Sequence, residues 1–121
     1  MAQILLVDDE KTIHAFLKYV LTKRGHHVDG ALSGVLALEK VEEKSYDLFL
    51  IDLDMPEMSG EDLIVQLRAM GFQAPAIILS GLPEDEVLGT AQRLNAAGRL
   101  RKPFKVEKLV TEIDRVLAGR K

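Results

Sequence analysis

The 121-residue sequence predicts an α/β protein: a single doubly wound (βα)5 domain over residues 1–121, built around a parallel five-stranded sheet. Three observations lead there. Short apolar runs alternate with stretches of helical periodicity, which implies parallel pairing with helices on both sheet faces. Some runs are unbroken, as strands covered on both faces should be, while others admit polar residues, as edges do. Most runs end at an acid, a hydroxyl or a lysine, and in open sheets ligand chemistry sits outside the carboxyl ends of the strands.

The first run is Ile4-Leu5-Leu6-Val7, ending at Asp8-Asp9-Glu10. A helix follows, with Ile13, Phe16, Leu17, Val20 and Leu21 on one expected apolar face, Lys23 and Arg24 in its last turn and Gly25 as its stop. Val28 to Ala31 reads as a weak strand interrupted by Asp29 and Gly30. Ser33 can cap a second helix with Val35, Leu38 and Val41 inward. Leu48-Phe49-Leu50-Ile51 is the central strand, and it stops at Asp52. Beyond a loop containing Asp54 and Pro56, Ser59 caps a third helix with Leu63, Leu67 and Met70 inward, and Gly71 ends it. Ala76-Ile77-Ile78-Leu79 is the next buried run, closing at Ser80-Gly81. The fourth helix starts after Pro83 and buries Val87, Ala91 and Leu94. Arg99-Leu100-Arg101 is a short strand ending at Lys102-Pro103-Phe104, and the last helix buries Val106, Leu109, Val110, Ile113 and Leu117. The first, third and fourth strands are therefore central and the second and fifth are edges. The order 2-1-3-4-5 satisfies this and puts the crevice between Asp8-Asp9 and Asp52.

Composition narrows the chemistry. A hydrophobic fraction of 47% and a charged fraction of 29% are those of a soluble globular chain. Zero cysteines exclude a disulfide framework, zinc-thiolate sites and thiol catalysis. The net charge of -3 argues against direct nucleic-acid binding. No run reaches the roughly 18 apolar residues of a membrane span, and no signal-peptide pattern is present, so a cytoplasmic location is expected.

Three carboxylates meeting in one crevice repel each other; at about 5 Å and an effective dielectric of about 20, one pair costs ~3 kcal/mol. Raised pKa values, a lysine or a divalent cation must answer that repulsion. Lys102 offsets one charge, and Mg²⁺ suits the remainder, being a hard ion bound by one or two carboxylates that bridges to phosphate oxygens. A cation beside a hydroxyl (Ser80) and an ammonium (Lys102) describes phosphoryl transfer, with Asp52 as a carboxylate nucleophile.

These residues match a family. Asp8-Asp9, Asp52 followed by Met55-Pro56 and Gly60, Ser80-Gly81 and Lys102-Pro103-Phe104 stand in the order and at the strand ends where the receiver domains of two-component response regulators carry them. The chain resembles such a chemotaxis-type receiver along essentially its whole length. The 2-1-3-4-5, flavodoxin-like order belongs to that resemblance and is not separate support for it. The resemblance implies that Asp52 accepts phosphate from a histidine kinase or a histidine phosphotransfer protein. Asp8, Asp9, Asp52 and the backbone carbonyl of Asp54 would hold Mg²⁺, and Ser80 and Lys102 would bind the phosphoryl group and report it to the surface. It also implies a cis Lys102-Pro103 bond, and a donor docking beside Phe104 and the Lys11, His14 and Lys18 face of the first helix. The domain would then be a signalling switch, an enzyme only toward its own phosphorylation and dephosphorylation. Its output partner or effector is open, as is a phosphorylation-dependent dimer. The closing Gly119-Arg120-Lys121 fits either a stand-alone receiver or part of a longer regulator or hybrid kinase.

Three positions individualise the sequence. Arg99 occupies the place, three residues before the lysine, where receivers usually carry the Tyr or Phe of the switch, and Glu84, Asp85 and Glu86 are its candidate partners. Asp54 lies two residues after the acceptor, where the family tunes phosphoryl lifetime; its charge can repel the phosphoryl group or position water. Gly81 leaves the acceptor open. His14, His26 and His27 read as helix-face and edge-strand residues rather than ligands. Two other functions compete: a pseudo-receiver that binds partners without phosphorylation, and a haloacid-dehalogenase-like phosphatase using Asp52-Leu53-Asp54. A flavin binder shares the topology, but the acidic crevice would repel a flavin phosphate.

Overall fold

A computed structural model describes residues 1–119; Arg120 and Lys121 lie outside the described residues. The elements run β1 (Gln3–Val7), α1 (Lys11–Lys23), β2 (His27–Ala31), α2 (Gly34–Glu43), β3 (Leu48–Asp52), α3 (Gly60–Ala69), β4 (Ala76–Ser80), α4 (Glu84–Leu94), β5 (Gly98–Arg101) and α5 (Val106–Gly119). The sheet order is β2-β1-β3-β4-β5 and each neighbouring pair is parallel. Side chains alternate across the sheet and build two cores. Leu5, Val7, Phe49, Ile51 and Ile78 meet α2, α3 and α4 on one face. Ile4, Leu6, Leu48, Leu50, Ile77 and Leu79 meet α1 and α5 on the other. β3 and β4 are buried at every residue, whereas β2 and β5 keep exposed positions, so the polarity of the runs does follow strand position.

The predicted stops and caps form as hydrogen bonds. Ser33 Oγ accepts from the Leu36 N–H and Ser59 Oγ from the Asp62 N–H. Gly25 and Gly71 take φ of 90° and 92° after α1 and α3, a conformation that costs glycine little. The Lys102-Pro103 bond is cis.

Three expected core residues face water instead. Phe16 is 49% exposed, Val35 55% and Met70 44%. Each helix lays only a narrow stripe on the sheet, and in α1 that stripe runs through Leu17 and Leu21. In α2 it is made by Gly34, Ala37 and Val41, small residues that bring the helix close to Met58 and turn Val35 outward. Met70 caps α3 beyond its last buried leucine, and Phe72 packs against the core there. In α5 the third buried position is Val116, which the expected stripe omits.

The polar interruptions of β2 have partners. Asp29 accepts from Tyr46 Oη at 2.8 Å and Lys44 Nζ at 3.0 Å, and His27 Nε2 stands 3.2 Å from its other oxygen. Burial would raise the Asp29 pKa, but the Tyr46 hydroxyl, Lys44 and His27 outweigh it and hold the carboxyl below its usual value. Burial, with the Asp29 carboxylate, pushes the Tyr46 hydroxyl up. This cluster ties the α2–β3 connection over an edge strand.

Gly60 marks a close approach of α3 to the end of β3. A Cβ there would run into the main-chain carbonyl of Asp52, so α3 can start against the end of β3 only at a glycine. Gly60→Ala should therefore lose about 1–3 kcal/mol through forced displacement of backbone, read as a lowered thermal midpoint; an unchanged midpoint would contradict this packing. Tyr46→Phe should cost about 1 kcal/mol by removing one hydrogen bond to a carboxylate, read as a lower urea midpoint at unchanged denaturant dependence.

Candidate functional site

The chain turns one way from β1 into β2 and the other way through β3, β4 and β5, leaving a crevice above the carboxyl ends of β1 and β3. Asp8, Asp9 and Asp52 meet in it, each offering a carboxylate oxygen within 4.8 Å of the others. Asp8 and Asp52 are buried, Asp9 is exposed. These are hard oxygen donors of one sign, a set that suits a small divalent cation.

Lys102 reaches over from the end of β5. Its Nζ donates to Asp8 Oδ2 at 2.9 Å and lies 3.4 Å from Asp52 Oδ1 and 3.7 Å from Glu10 Oε1. Asp8 Oδ1 accepts from the Glu10 N–H at 2.9 Å, and Asp52 Oδ1 from the Asp54 N–H at 3.1 Å. Burial, then the neighbouring Asp8 charge, raises the Asp52 pKa against the opposing pull of the Asp54 N–H and Lys102. Burial works to lower that of Lys102, yet Asp8 and Asp52 outweigh it and the net direction is up. One ammonium thus faces three aspartates, and negative charge remains.

Ser80 is fully buried at the end of β4. Its hydroxyl donates to Asp54 Oδ2 at 3.2 Å and accepts from the Leu82 N–H at 3.1 Å. The same Asp54 oxygen accepts from the Gly81 N–H at 3.1 Å. Asp54 is expected at the site for its main-chain carbonyl and for a charge that acts on phosphoryl lifetime; its side chain also bridges the β3–α3 loop to the end of β4. A Cβ at Gly81 would meet no atom within 4 Å, in keeping with an open approach.

Arg99 points away from the crevice. Its Nε pairs with Glu84 Oε1 at 3.5 Å, and its main-chain N–H donates to Glu112 Oε2 at 3.3 Å. Arg115 holds Glu112 in turn and, ahead of the opposing effect of burial, keeps that carboxyl below its usual value. His14, expected on the outer face of α1 with Lys11 and Lys18, instead turns toward β2: its Nε2 is 2.6 Å from the main-chain oxygen of Asp8 and its ring lies against Gly30. A signal existed, since a glycine inside a strand often marks a close approach. His26 Nδ1 accepts from the Ala2 N–H, and His27 sits in the Asp29 cluster.

Among the described residues no helix is long and apolar enough to cross a membrane. The family model for the response regulator receiver domain matches residues 4–114. The chain is 38% identical to the two-component response regulator PhoP of Pseudomonas aeruginosa over 117 residues, 95% of this chain and 51% of that protein. It is 31% identical to the chemotaxis protein CheY of Thermotoga maritima over 115 residues, 94% of this chain and 96% of that one. The chain thus spans about half the length of some curated relatives and nearly all of others. Among solved structures, the chemotaxis protein CheY4 of Vibrio cholerae superposes with a TM-score of 0.89 at 30% identity, covering 96% of this chain and 98% of that one. The Thermotoga maritima response regulator TrrA, solved in complex with Mg²⁺-BeF, gives 0.83 at 29% identity, covering 96% and 99%. Fold, acidic crevice and relatives agree: this chain belongs to the response regulator receiver domain family.

Proposed function

We propose that this receiver accepts a phosphoryl group on Asp52 from a histidine kinase or histidine phosphotransfer protein. The observation that carries the reading is the meeting of Asp8, Asp9 and Asp52 within 4.8 Å under Lys102. A carboxylate oxygen of Asp52 attacks the donor's phosphorus, an O–P bond forms as the P–N bond breaks, and the departing imidazole keeps the electron pair. The product is an acyl phosphate that water returns to carboxylate and inorganic phosphate. Beyond this self-directed chemistry the domain is a switch.

The donor set fits Mg²⁺: Asp8, Asp9 and Asp52 would hold it with the main-chain carbonyl of Asp54. When bound, it would neutralise carboxylate and phosphoryl oxygens together. Lys102 would hold one phosphoryl oxygen, and the Ser80 hydroxyl another. The exposed face of α1 with Lys11 and Lys18, and Phe104 nearby, is the proposed donor contact; the output partner, effector and any dimer are left to the rest of the relay, which operates in the cytoplasm. The phosphatase alternative needs Asp54 as a free acid and base, but its carboxylate already accepts two hydrogen bonds from Ser80 and Gly81. The pseudo-receiver alternative draws on Arg99, which stands in place of the switch aromatic and is engaged with Glu84.

Incubation with acetyl phosphate and Mg²⁺ should add one phosphoryl group by intact mass, absent from Asp52→Asn and from a chelator-treated sample. No adduct with either acetyl phosphate or phosphoramidate would leave the pseudo-receiver standing.

The electrostatics give a second outcome. An acid whose pKa is raised on folding costs stability wherever it is ionised, and that cost fades as pH falls through the folded value toward the unfolded one. Asp52→Asn should accordingly be more stable than wild type in metal-free buffer at neutral pH. The gain should narrow as pH drops toward the ordinary Asp value of 3.8, and also on saturation with Mg²⁺. Urea denaturation across pH, with and without Mg²⁺, measures both trends; a destabilised Asn variant would contradict the charge argument.

A further inference from the structure

The Asp54 side chain is placed where the incoming group must go. Asp52 is in register with Leu79, so Asp54, on the loop past β3, and Ser80-Gly81, at the end of β4, face each other across adjacent strand ends. In the unmodified protein one oxygen, Asp54 Oδ2, accepts from both the Ser80 hydroxyl at 3.2 Å and the Gly81 N–H at 3.1 Å. Ser80 Oγ already accepts from the Leu82 N–H. A serine has a single hydroxyl proton. Donated to Asp54, it is not available to a phosphoryl oxygen.

We propose that Asp54 is an internal competitor of the phosphoryl group: its carboxylate occupies the Ser80 and Gly81 donors and must release them when Asp52 is modified. This rests on the reading of Asp52 as acceptor and adds to it a direction and a cause. The carboxylate imitates the anion it displaces, using charge-assisted hydrogen bonds of the same type. Its negative charge also remains beside the acceptor, so the modified state carries a repulsion as well as a lost contact. Both effects weaken the modified state relative to the unmodified one. Release has a mechanical consequence, because Ser80 and Gly81 begin the connection that leads to α4.

The test uses beryllofluoride with Mg²⁺ as the phosphoryl probe, titrated into ¹⁵N-labelled protein and followed at the Gly81 amide. Asp54→Ala should bind the probe about tenfold more tightly than wild type, from the loss of a charge-assisted competitor. Asp54→Asn keeps an acceptor oxygen without the charge, and should fall between the two. In Ser80→Ala, which lacks the contested hydroxyl, the gain from Asp54→Ala should shrink. A residue that merely supports the loop would give the opposite sign, weaker binding on truncation. Equal or weaker binding by both Asp54 variants overturns the competitor and leaves the acceptor reading intact. Absence of binding by wild type, or binding retained in Asp52→Asn, overturns the acceptor reading and this proposal with it.

Discussion

The contact of Lys102 with Asp8 and Asp52 is the constraint on which the rest of the site depends. The three residues come from β5, β1 and β3, and the Lys102–Asp8 pair is 94 residues apart in sequence. An ammonium 2.9 Å from one carboxylate and 3.4 Å from another can exist only if the whole sheet is assembled in this order and register. The reverse dependence also holds. Two buried aspartates beside a third would repel strongly in a medium of reduced dielectric, and the lysine is the only ammonium the described contacts put between them. Sheet and charge cluster are thus one design. The apolar runs bring the acids together, and the lysine at the far edge makes their meeting tolerable.

How much of this could be read from the chain follows from the range of each interaction. Leu48 to Asp52 announces itself, because a fully buried strand is an unbroken apolar run and a carboxylate at its end has nowhere to go but the rim. The sheet order follows from the contrast of such runs with Val28–Ala31 and Arg99–Arg101. Helix faces were read less well. Periodicity identifies an apolar arc but does not say which part of it touches the sheet: the arcs include Phe16 and Val35, which face water, while Gly34 and Ala37 do the packing in α2. Least legible were contacts between loops. The bond from Ser80 to Asp54 spans 26 residues and depends on where two loops end up, which no local pattern records. The His14 bond to the Asp8 carbonyl is short in sequence yet equally hidden, because it needs the missing side chain of Gly30 on another element.

In the unmodified protein the groups proposed to hold a phosphoryl anion already face carboxylates. Lys102 is occupied by Asp8 and Asp52, the Ser80 hydroxyl and the Gly81 N–H by Asp54. Lys102, Ser80 and Gly81 thus rest with their donors engaged. Occupancy by a dianion then cannot be a simple addition. On the proposed reading it would exchange protein carboxylates for phosphoryl oxygens at the same donors, and each exchange would free a side chain from its present contact. A switch needs this property: two arrangements of comparable free energy, distinguished by which anion the donors face.

The route outward from that exchange is short. Only Gly81, Leu82 and Pro83 separate Ser80 from Glu84 at the start of α4, and β5 grips this connection with two arginines. Arg101 Nε donates to the Leu82 carbonyl at 2.8 Å, and Arg99 Nε pairs with Glu84 at 3.5 Å. Arg99 is anchored on its other side through its main-chain bond to Glu112, itself held by Arg115 of α5. Both arginines line an open cleft of about 670 Å³ between α4 and α5, with Lys105, Lys108, Glu84 and Glu112. In the resemblance, an aromatic ring at position 99 would answer movement of the hydroxyl residue by changing its burial. Arginine cannot work that way, because its guanidinium gains little from an apolar pocket and much from a carboxylate. What it can do is follow Glu84. The position that departs from the family's aromatic pattern therefore carries an ion pair, one that joins β5 to the first residue of α4.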